Sequence, residues 1–432
     1  MKILLRIAIA SAWHRRFALI WTVIGLAVSS ALVIGLSRTS IQTGRAFQRS
    51  LPNADLVVGP RGAAHQILLQ SVFHVGNAQH LMSWNAVKKL RTTPGVSWVL
   101  PLSFGETFGG FPVVGTDSSM FRIPWGAENA PPQIAEGRGF DGLFEVVLGD
   151  QVARKMHLGI GGSVALVHGG PGDLDDDDDD HDGPGHHHTH ADKPFRVTGI
   201  LRRSHTPLDR SLFVSLESLT ALHLDWVGGA PMPGFHLTEE QTKKFNLTPK
   251  SVSAALVGLD DPSSSLFLSR KWNEDAVDPV TAFQPRVVLD EIRSSLGDTE
   301  GVVRLAALAS LLAALAGMLA TQFASSESRR AEFAVLRLAG AKPIHLLFAS
   351  VVEAVLTAGA GVAAGWVAVQ LALPHLEDRL GAHLGVTPDL GVPVLQEALW
   401  IGLLLSAAAA AGILPLLVAM RRDLVEMLPG RS

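Results

Sequence analysis

The sequence predicts a membrane α-helical protein with four transmembrane helices and a large α+β extracytoplasmic domain inserted between helices 1 and 2. Three observations carry this reading. Four stretches are nearly free of charge, and each is long enough to cross a hydrocarbon core of about 30 Å, which takes roughly 20 residues. Basic residues gather on alternate connections between those stretches. The long middle of the chain reads instead as a soluble domain, with short β-rich runs, helical runs and turn residues.

Residues 1–16 form a basic lead segment containing Lys2, Arg6, Arg15 and Arg16. Helix 1 covers 17–36, where only Thr22, Ser29 and Ser30 interrupt the apolar run. That run is too long for a signal-peptide core of about 7–15 residues, so an uncleaved anchor is expected. Helix 2 covers 305–323 and is rich in Ala and Leu. Helix 3 covers 344–373 and carries Glu353, a carboxylate that is expensive in lipid and belongs toward the bundle interior. Gly359, Gly361 and Gly365 on the same helix suit close helix packing. Helix 4 covers 399–420. Arg329, Arg330, Arg337 and Lys342 lie in the 324–343 connection, and Arg421, Arg422 and Arg431 lie in the 421–432 tail. The 374–398 loop is acidic, with Glu377, Asp378, Asp389 and Glu397 against Arg379. The positive-inside rule therefore places both termini and 324–343 in the cytoplasm, and 37–304 and 374–398 outside.

Within 37–304, Ala54–Val58, Val96–Leu100, Val146–Leu148, Ser163–Val167, Phe195–Leu201 and Leu212–Ser215 read as strands. His80–Arg91 and Asp150–Leu158 have helical spacing, and from Pro285 the pattern turns helical again and runs into the second span. One segment stands apart. Residues 173–192 read DLDDDDDDHDGPGHHHTHAD, a low-complexity insertion between two strands that cannot build a core and is expected to be disordered. Imidazole suits zinc, copper and nickel, and aspartate adds charge and oxygen ligands. His181, His186, His187, His188 and His190, with Asp178 and Asp180, are therefore candidate metal ligands. A solvated acidic loop without a ligand is the alternative.

Other chemistries are bounded by what the chain lacks. It has no cysteine, which removes disulfides, thiolate zinc sites and a cysteine nucleophile. A formal net charge of −4 gives no global basic surface for nucleic acid. No GxxxxGK[ST], HExxH or GxSxG occurs, so no catalytic residues are assigned and ATP could act only through another chain. Between spans two and three, Phe333, Leu336 and Ala339/Gly340 recur at helical spacing behind Glu327, Arg329, Arg330 and Glu332. A short helix on the cytoplasmic membrane face fits this, either as a bare connector or seated in a partner's groove.

Several of these segments resemble the MacB/FtsX-type ABC transporter permeases without a fused ATPase. SESRRAEFAVLRLAGAK is similar to that family's ER-x-EI-x-x-LR-x-x-GA segment. In the outer domain EGRGF, VVLGDQVARKMHLGIGGSVAL and FRVTGILRRSHTPLDRSLFVSLESL resemble its periplasmic core. PLLVAMRRDLVEMLPG resembles its closing run, with Asp423 where proline is usual. The resemblance implies a bacterial inner-membrane, multi-pass permease subunit working as a homodimer with separate ABC ATP-binding subunits. A periplasmic substrate-binding or envelope partner goes with it. It makes Glu327, Arg329, Arg330, Glu332, Leu336, Arg337, Gly340 and Ala341 the coupling helix that contacts the ATPase. Family members lack the Asp/His insertion, and the subgroup resembling permeases associated with zinc homeostasis is the one it points to. Two alternatives stand beside that reading: a lipoprotein, macrolide or peptide export permease with an incidental His tract, and a membrane-anchored metal-binding or sensing module without transport.

Overall fold

The computed structural model describes residues 16–76, 80–125, 130–169, 190–227, 230–232, 237–328, 342–384 and 395–420. Ten α-helices are described: α1 (Arg16–Ser50), α2 (Ala64–Phe73), α3 (Trp84–Thr92), α4 (Asp150–Lys155), α5 (Leu216–Leu222), α6 (Glu239–Thr242), α7 (Ser265–Asn273), α8 (Pro285–Ser328), α9 (Pro343–Leu384) and α10 (Leu395–Met420). The chain divides into two compact units, one of residues 1–42, 296–376 and 390–432, the other of 43–295 and 377–389.

In the first unit α1, α8, α9 and α10 each contain a stretch long and apolar enough to cross a membrane. Leu26, Val33, Leu311, Met318, Ala354, Ala358, Leu404 and Ala408 form its core. Small residues set the spacing of α1 and α9. A Cβ on Gly365 would lie 2.5 Å from the Ala27 carbonyl oxygen, and one on Gly361 would lie 2.6 Å from Leu26 Cβ. Gly359 differs from the expectation, because open space surrounds it. Glu353 is half-buried on α9.

Several boundaries differ from the sequence reading because helices run past their apolar stretches. α1 continues from Leu36 to Ser50, and α8 is continuous from Pro285 through Ser328. Residues 374–384, read as loop, extend α9 to Leu384. Glu397 is not an exposed loop acid: it is buried on α10 in a forked ion pair with Arg38, with both Nε–Oε1 and Nη2–Oε2 at 2.5 Å. Arg38 Nη1 also donates to Gln370 Oε1 at 2.9 Å, so α1, α9 and α10 share one polar node.

The second unit is built on an eleven-stranded sheet. Its strands are β1 (Leu56–Pro60), β3 (Val96–Phe108), β4 (Phe111–Thr116), β5 (Ile134–Gly137), β6 (Glu145–Leu148), β7 (Ser163–Val164), β8 (Val167–His168), β9 (Phe195–Leu201), β10 (Leu212–Ser215), β14 (Ala254–Leu259) and β15 (Val280–Phe283), and β2 (Met82–Ser83), β11 (Trp226–Val227), β12 (Ala230–Pro231) and β13 (Ser251–Val252) form short ribbons. The order is β15-β1-β14-β3-β4-β10-β6-β9-β5, with β7 on β9 and β8 on β3. Side chains alternate across the strands, as the two-residue period requires. Leu56 and Val58 pack under α3 and α7, with Val87, Leu90, Leu268 and Trp272. Val57 instead faces Leu68, Val72 and Phe73 of α2. Farther along the sheet, Val146 and Leu148 join Val152, Phe195 and Leu222, while Val147 turns to the opposite core. Burying one such side chain contributes about 1.5–3 kcal/mol, so continuous apolar strands with covered faces are the expected outcome. The helix expected from His80 starts only at Trp84, because the Ser83 hydroxyl caps it by accepting from Ala86 N at 3.1 Å.

Candidate metal centre

Two strand segments bring the first pair of side chains together. Glu106 of β3 and His168 of β8 are direct partners across the antiparallel ladder, so their side chains leave the sheet side by side. The β3–β4 register shifts between Ser103 and Glu106, and Gly105 sits at φ +146. Such a bulge re-aims the residue that follows it. His168 Nδ1 lies 2.7 Å from Glu106 Oε1.

Two loops supply the remaining pair. His223 follows α5, and its Nδ1 lies 3.0 Å from the Leu219 carbonyl oxygen. A carbonyl can only accept, so Nδ1 carries a proton and Nε2 is the ring nitrogen turned toward the cluster. That nitrogen lies 3.1 Å from Glu106 Oε1. His190 is placed by its backbone N–H, which donates to Leu166 O at 2.8 Å. Its Nε2 lies 3.7 Å from Glu106 Oε2. A buried ion pair, Lys193 Nζ to Asp225 Oδ1 at 2.6 Å, clamps the two loops to each other. Trp226 forms one wall, its ring 4.3 Å from that of His190.

Glu106, His168, His190 and His223 thus each offer one ligand atom, and these atoms all lie within 4.8 Å of one another. A tetrahedral zinc site with bonds near 2.0–2.1 Å has ligand–ligand edges of about 3.4 Å; His168 Nδ1 and His223 Nε2 stand 2.7 and 3.1 Å from Glu106 Oε1, and His190 Nε2 stands 3.7 Å from Glu106 Oε2. Glu106 Oε2, His190 Nε2 and His223 Nε2 are buried without hydrogen-bond partners. Each such atom costs roughly 1–3 kcal/mol when left unpaired. A cation would satisfy all three at once, which a proton on any one of them would not. His168 and His223 reach solvent, with 45% and 34% of their side chains exposed, while Glu106 and His190 are buried.

The electrostatics agree with the geometry. Burial raises the Glu106 carboxyl, but His168 and His223 beside it outweigh this and hold it below its ordinary value. Glu106 in turn raises His168 against the opposing effect of partial burial. Burial is the largest influence on His190, lowering it to about 4 with His223 assisting and Glu106 opposing. His190 is therefore neutral at pH 7, the form that ligates metal.

Of the ligands expected from sequence, His190 is in this cluster, while His181, His186, His187, His188, Asp178 and Asp180 lie outside the described residues. Glu106, His168 and His223 were not among the sequence candidates. His168 carried a faint signal, standing at the strand end just before the insertion. Of the coupling-helix residues, the Glu327 backbone belongs to the last turn of α8; Arg329, Arg330, Glu332, Leu336, Arg337, Gly340 and Ala341 lie outside the described residues.

Residues 304–424 match the FtsX-like permease C-terminal family. This FtsX-like segment takes in most of α8 and all of α9 and α10. No curated protein matches the chain in sequence. Among solved structures, the chain is similar to the periplasmic region of MacB from Actinobacillus actinomycetemcomitans, at 10% identity and a TM-score of 0.32, covering 55% of this chain and 92% of that one. It is also similar to the extracellular domain of the noncanonic ABC-type transporter YknZ from Gram-positive bacteria, at 10% identity and a TM-score of 0.30, covering 53% and 99% respectively.

Proposed function

We propose that this chain is the permease subunit of an ABC transporter and that its outer domain serves metal homeostasis, with zinc as the ion handled. A separate ATPase subunit would hydrolyse ATP and act on the connection after α8, through Glu327, Arg329, Arg330, Glu332, Leu336, Arg337, Gly340 and Ala341. The FtsX-like match over 304–424 and the membrane-crossing helices support the permease half of this reading. A homodimer with an envelope partner is the assembly expected of it.

The observation that carries the metal half is the convergence of three unpartnered buried atoms on one point at the foot of the Asp/His insertion. His190 belongs to both features. His186 is four residues away from it, a chain reach of at most about 14 Å. Within that reach the nearest imidazoles of the insertion could pass an ion to the cluster and suit a collecting role, while Glu106, His168, His190 and His223 suit retention. Three nitrogens and one oxygen without thiolate are a donor set of the kind that holds zinc, one that copper and nickel also accept.

Calorimetric titration of the full-length protein in detergent with zinc, using nickel and manganese as controls, tests this. One tight zinc site should persist when 173–189 are deleted and vanish in a Glu106→Gln, His223→Ala double variant. An unchanged tight site in that variant would sink the assignment of the cluster. If zinc does not bind at all, the permease reading stands with its substrate open, and lipoprotein, macrolide or peptide export becomes the better specialisation. Leu336→Asp should abolish stimulation of the ATPase; intact stimulation would remove the coupling role.

A further inference from the structure

A second site in the outer unit has different chemistry and involves none of the metal-cluster residues. A cavity of about 350 Å³ is lined by Arg49, Arg202, Arg203 and His205 together with Trp125, Gln133 and several apolar side chains. No aspartate or glutamate lines it. The three guanidinium groups make no hydrogen bond or ion pair within the described protein. Two further polar atoms are left over: the Trp125 Nε1 donor and His205 Nδ1 are both buried without a hydrogen-bond partner, and Trp125 as a whole is only 7% exposed. A buried indole N–H with nothing to donate to is uncommon, and it calls for an acceptor from outside the chain.

The walls are built rather than incidental. Trp125 is held by its backbone N–H on Ala130 O at 2.9 Å, and Arg202 N donates to Gln133 O at 2.7 Å. His205 takes a left-handed backbone, φ 55, where a non-glycine residue is strained. The buried carboxylate of Asp209 holds it there, accepting from His205 N at 2.7 Å and from Ser204 N at 2.8 Å. Strain retained by a dedicated anchor, beside an unpartnered ring nitrogen, is a positioning feature.

We infer that this cavity binds a phosphate monoester carried on an organic stem. Guanidinium groups pair with phosphate oxygens through forked hydrogen bonds, and the number of free donors suits three terminal oxygens. The volume lies at the lower end of small-molecule sites and exceeds what a bare phosphate fills. Trp125, Pro131, Pro132, Leu201 and Leu208 supply apolar walls for the stem. A soluble sugar or glycerol phosphate and the headgroup of an anionic lipid present the same chemistry.

The test is calorimetric titration of the full-length protein with glycerol 3-phosphate, dihexanoyl phosphatidate and, as a neutral-headgroup control, dihexanoyl phosphatidylcholine. Saturable binding of either phosphate monoester, weakened at least tenfold in Arg49→Gln, Arg203→Gln, supports the site. Binding of glycerol 3-phosphate identifies a soluble ligand, and binding of phosphatidate alone identifies a lipid. Trp125→Phe removes only the indole N–H, so it should keep the melting temperature while weakening binding, which a purely structural tryptophan would not do. If the double variant does not fold, that single variant decides. Phosphatidylcholine binding as tightly as phosphatidate, no binding of either monoester, or wild-type affinity in the variants would overturn the proposal.

Discussion

The polar node of the membrane unit gives a sharp stability experiment. Arg38 and Glu397 are joined by two parallel hydrogen bonds of 2.5 Å, with side chains 0% and 4% exposed. Replacing Glu397 with alanine leaves a guanidinium that is 0% exposed without its carboxylate, with Gln370 Oε1 at 2.9 Å among its remaining acceptors. Breaking a buried pair in this way costs roughly 3–5 kcal/mol, because desolvation of the remaining charge is no longer offset. At 1.4 kcal/mol per decade that is a factor of about 10² to 10³ or more in the unfolding equilibrium. Replacing both partners with apolar residues of similar size, Arg38→Met with Glu397→Leu, removes the stranded charge and should recover most of the loss. The assay is denaturant unfolding of the detergent-solubilised protein, followed by protease susceptibility of the helix connections, for the wild type, both single variants and the double variant. A coupling energy of several kcal/mol is expected. Single variants within 1 kcal/mol of wild type, or strictly additive losses, would refute the argument that the charges are desolvated and mutually dependent.

Zinc at one hundred times its dissociation constant should stabilise the protein by about 2.7 kcal/mol, or roughly 5–10 °C in the outer unit's melting temperature, and calorimetry of Glu106→Gln should show no such rise. Gly365→Ala places a Cβ against the Ala27 carbonyl oxygen at 2.5 Å and should cost about 1–3 kcal/mol, read in the same denaturant assay, whereas Gly359→Ala, with open space, should be silent. Burial raises the Glu145 carboxyl, but Arg138 and the backbone N–H groups of Asp141 and Gly142 lower it further, to about 2. A carboxyl depressed on folding contributes stability that is complete above its unfolded value of 4.5 and is lost as pH falls toward 2. Its upper bound is roughly 3 kcal/mol, reduced by solvent screening around half-exposed Arg138. The stability difference between wild type and Glu145→Gln should accordingly be full at pH 6 and shrink steadily below pH 4.5; a difference independent of pH would remove the ionic explanation.

How legible these features were depends on how far their causes reach along the chain. The four apolar helices are local properties, since uncharged length alone makes a span and no partner is needed to recognise it. Strands such as Phe195–Leu201 and Leu212–Ser215 were readable for a similar reason, as short apolar runs bounded by turn residues. His190 was visible because it stands in a histidine tract. Glu106 and His223 had no such company, and only the β3–β8 pairing and the loop after α5 bring Glu106 within 3.7 Å of His190 Nε2 and 3.1 Å of His223 Nε2. Glu397 misled for the same reason: among other acids in sequence it reads as a solvated loop, and only its position opposite Arg38 explains its burial.

The sequence by itself determined which segments suit lipid, which suit a β-sheet and where a metal-seeking composition lies, because burial preference and backbone period are encoded residue by residue. Tertiary structure alone decided which carboxylate and which imidazoles meet, which buried donors are left without an acceptor and which charges are stranded away from water. Those are properties of distances between residues remote in sequence, and such distances exist only once the sheet register and helix packing are set.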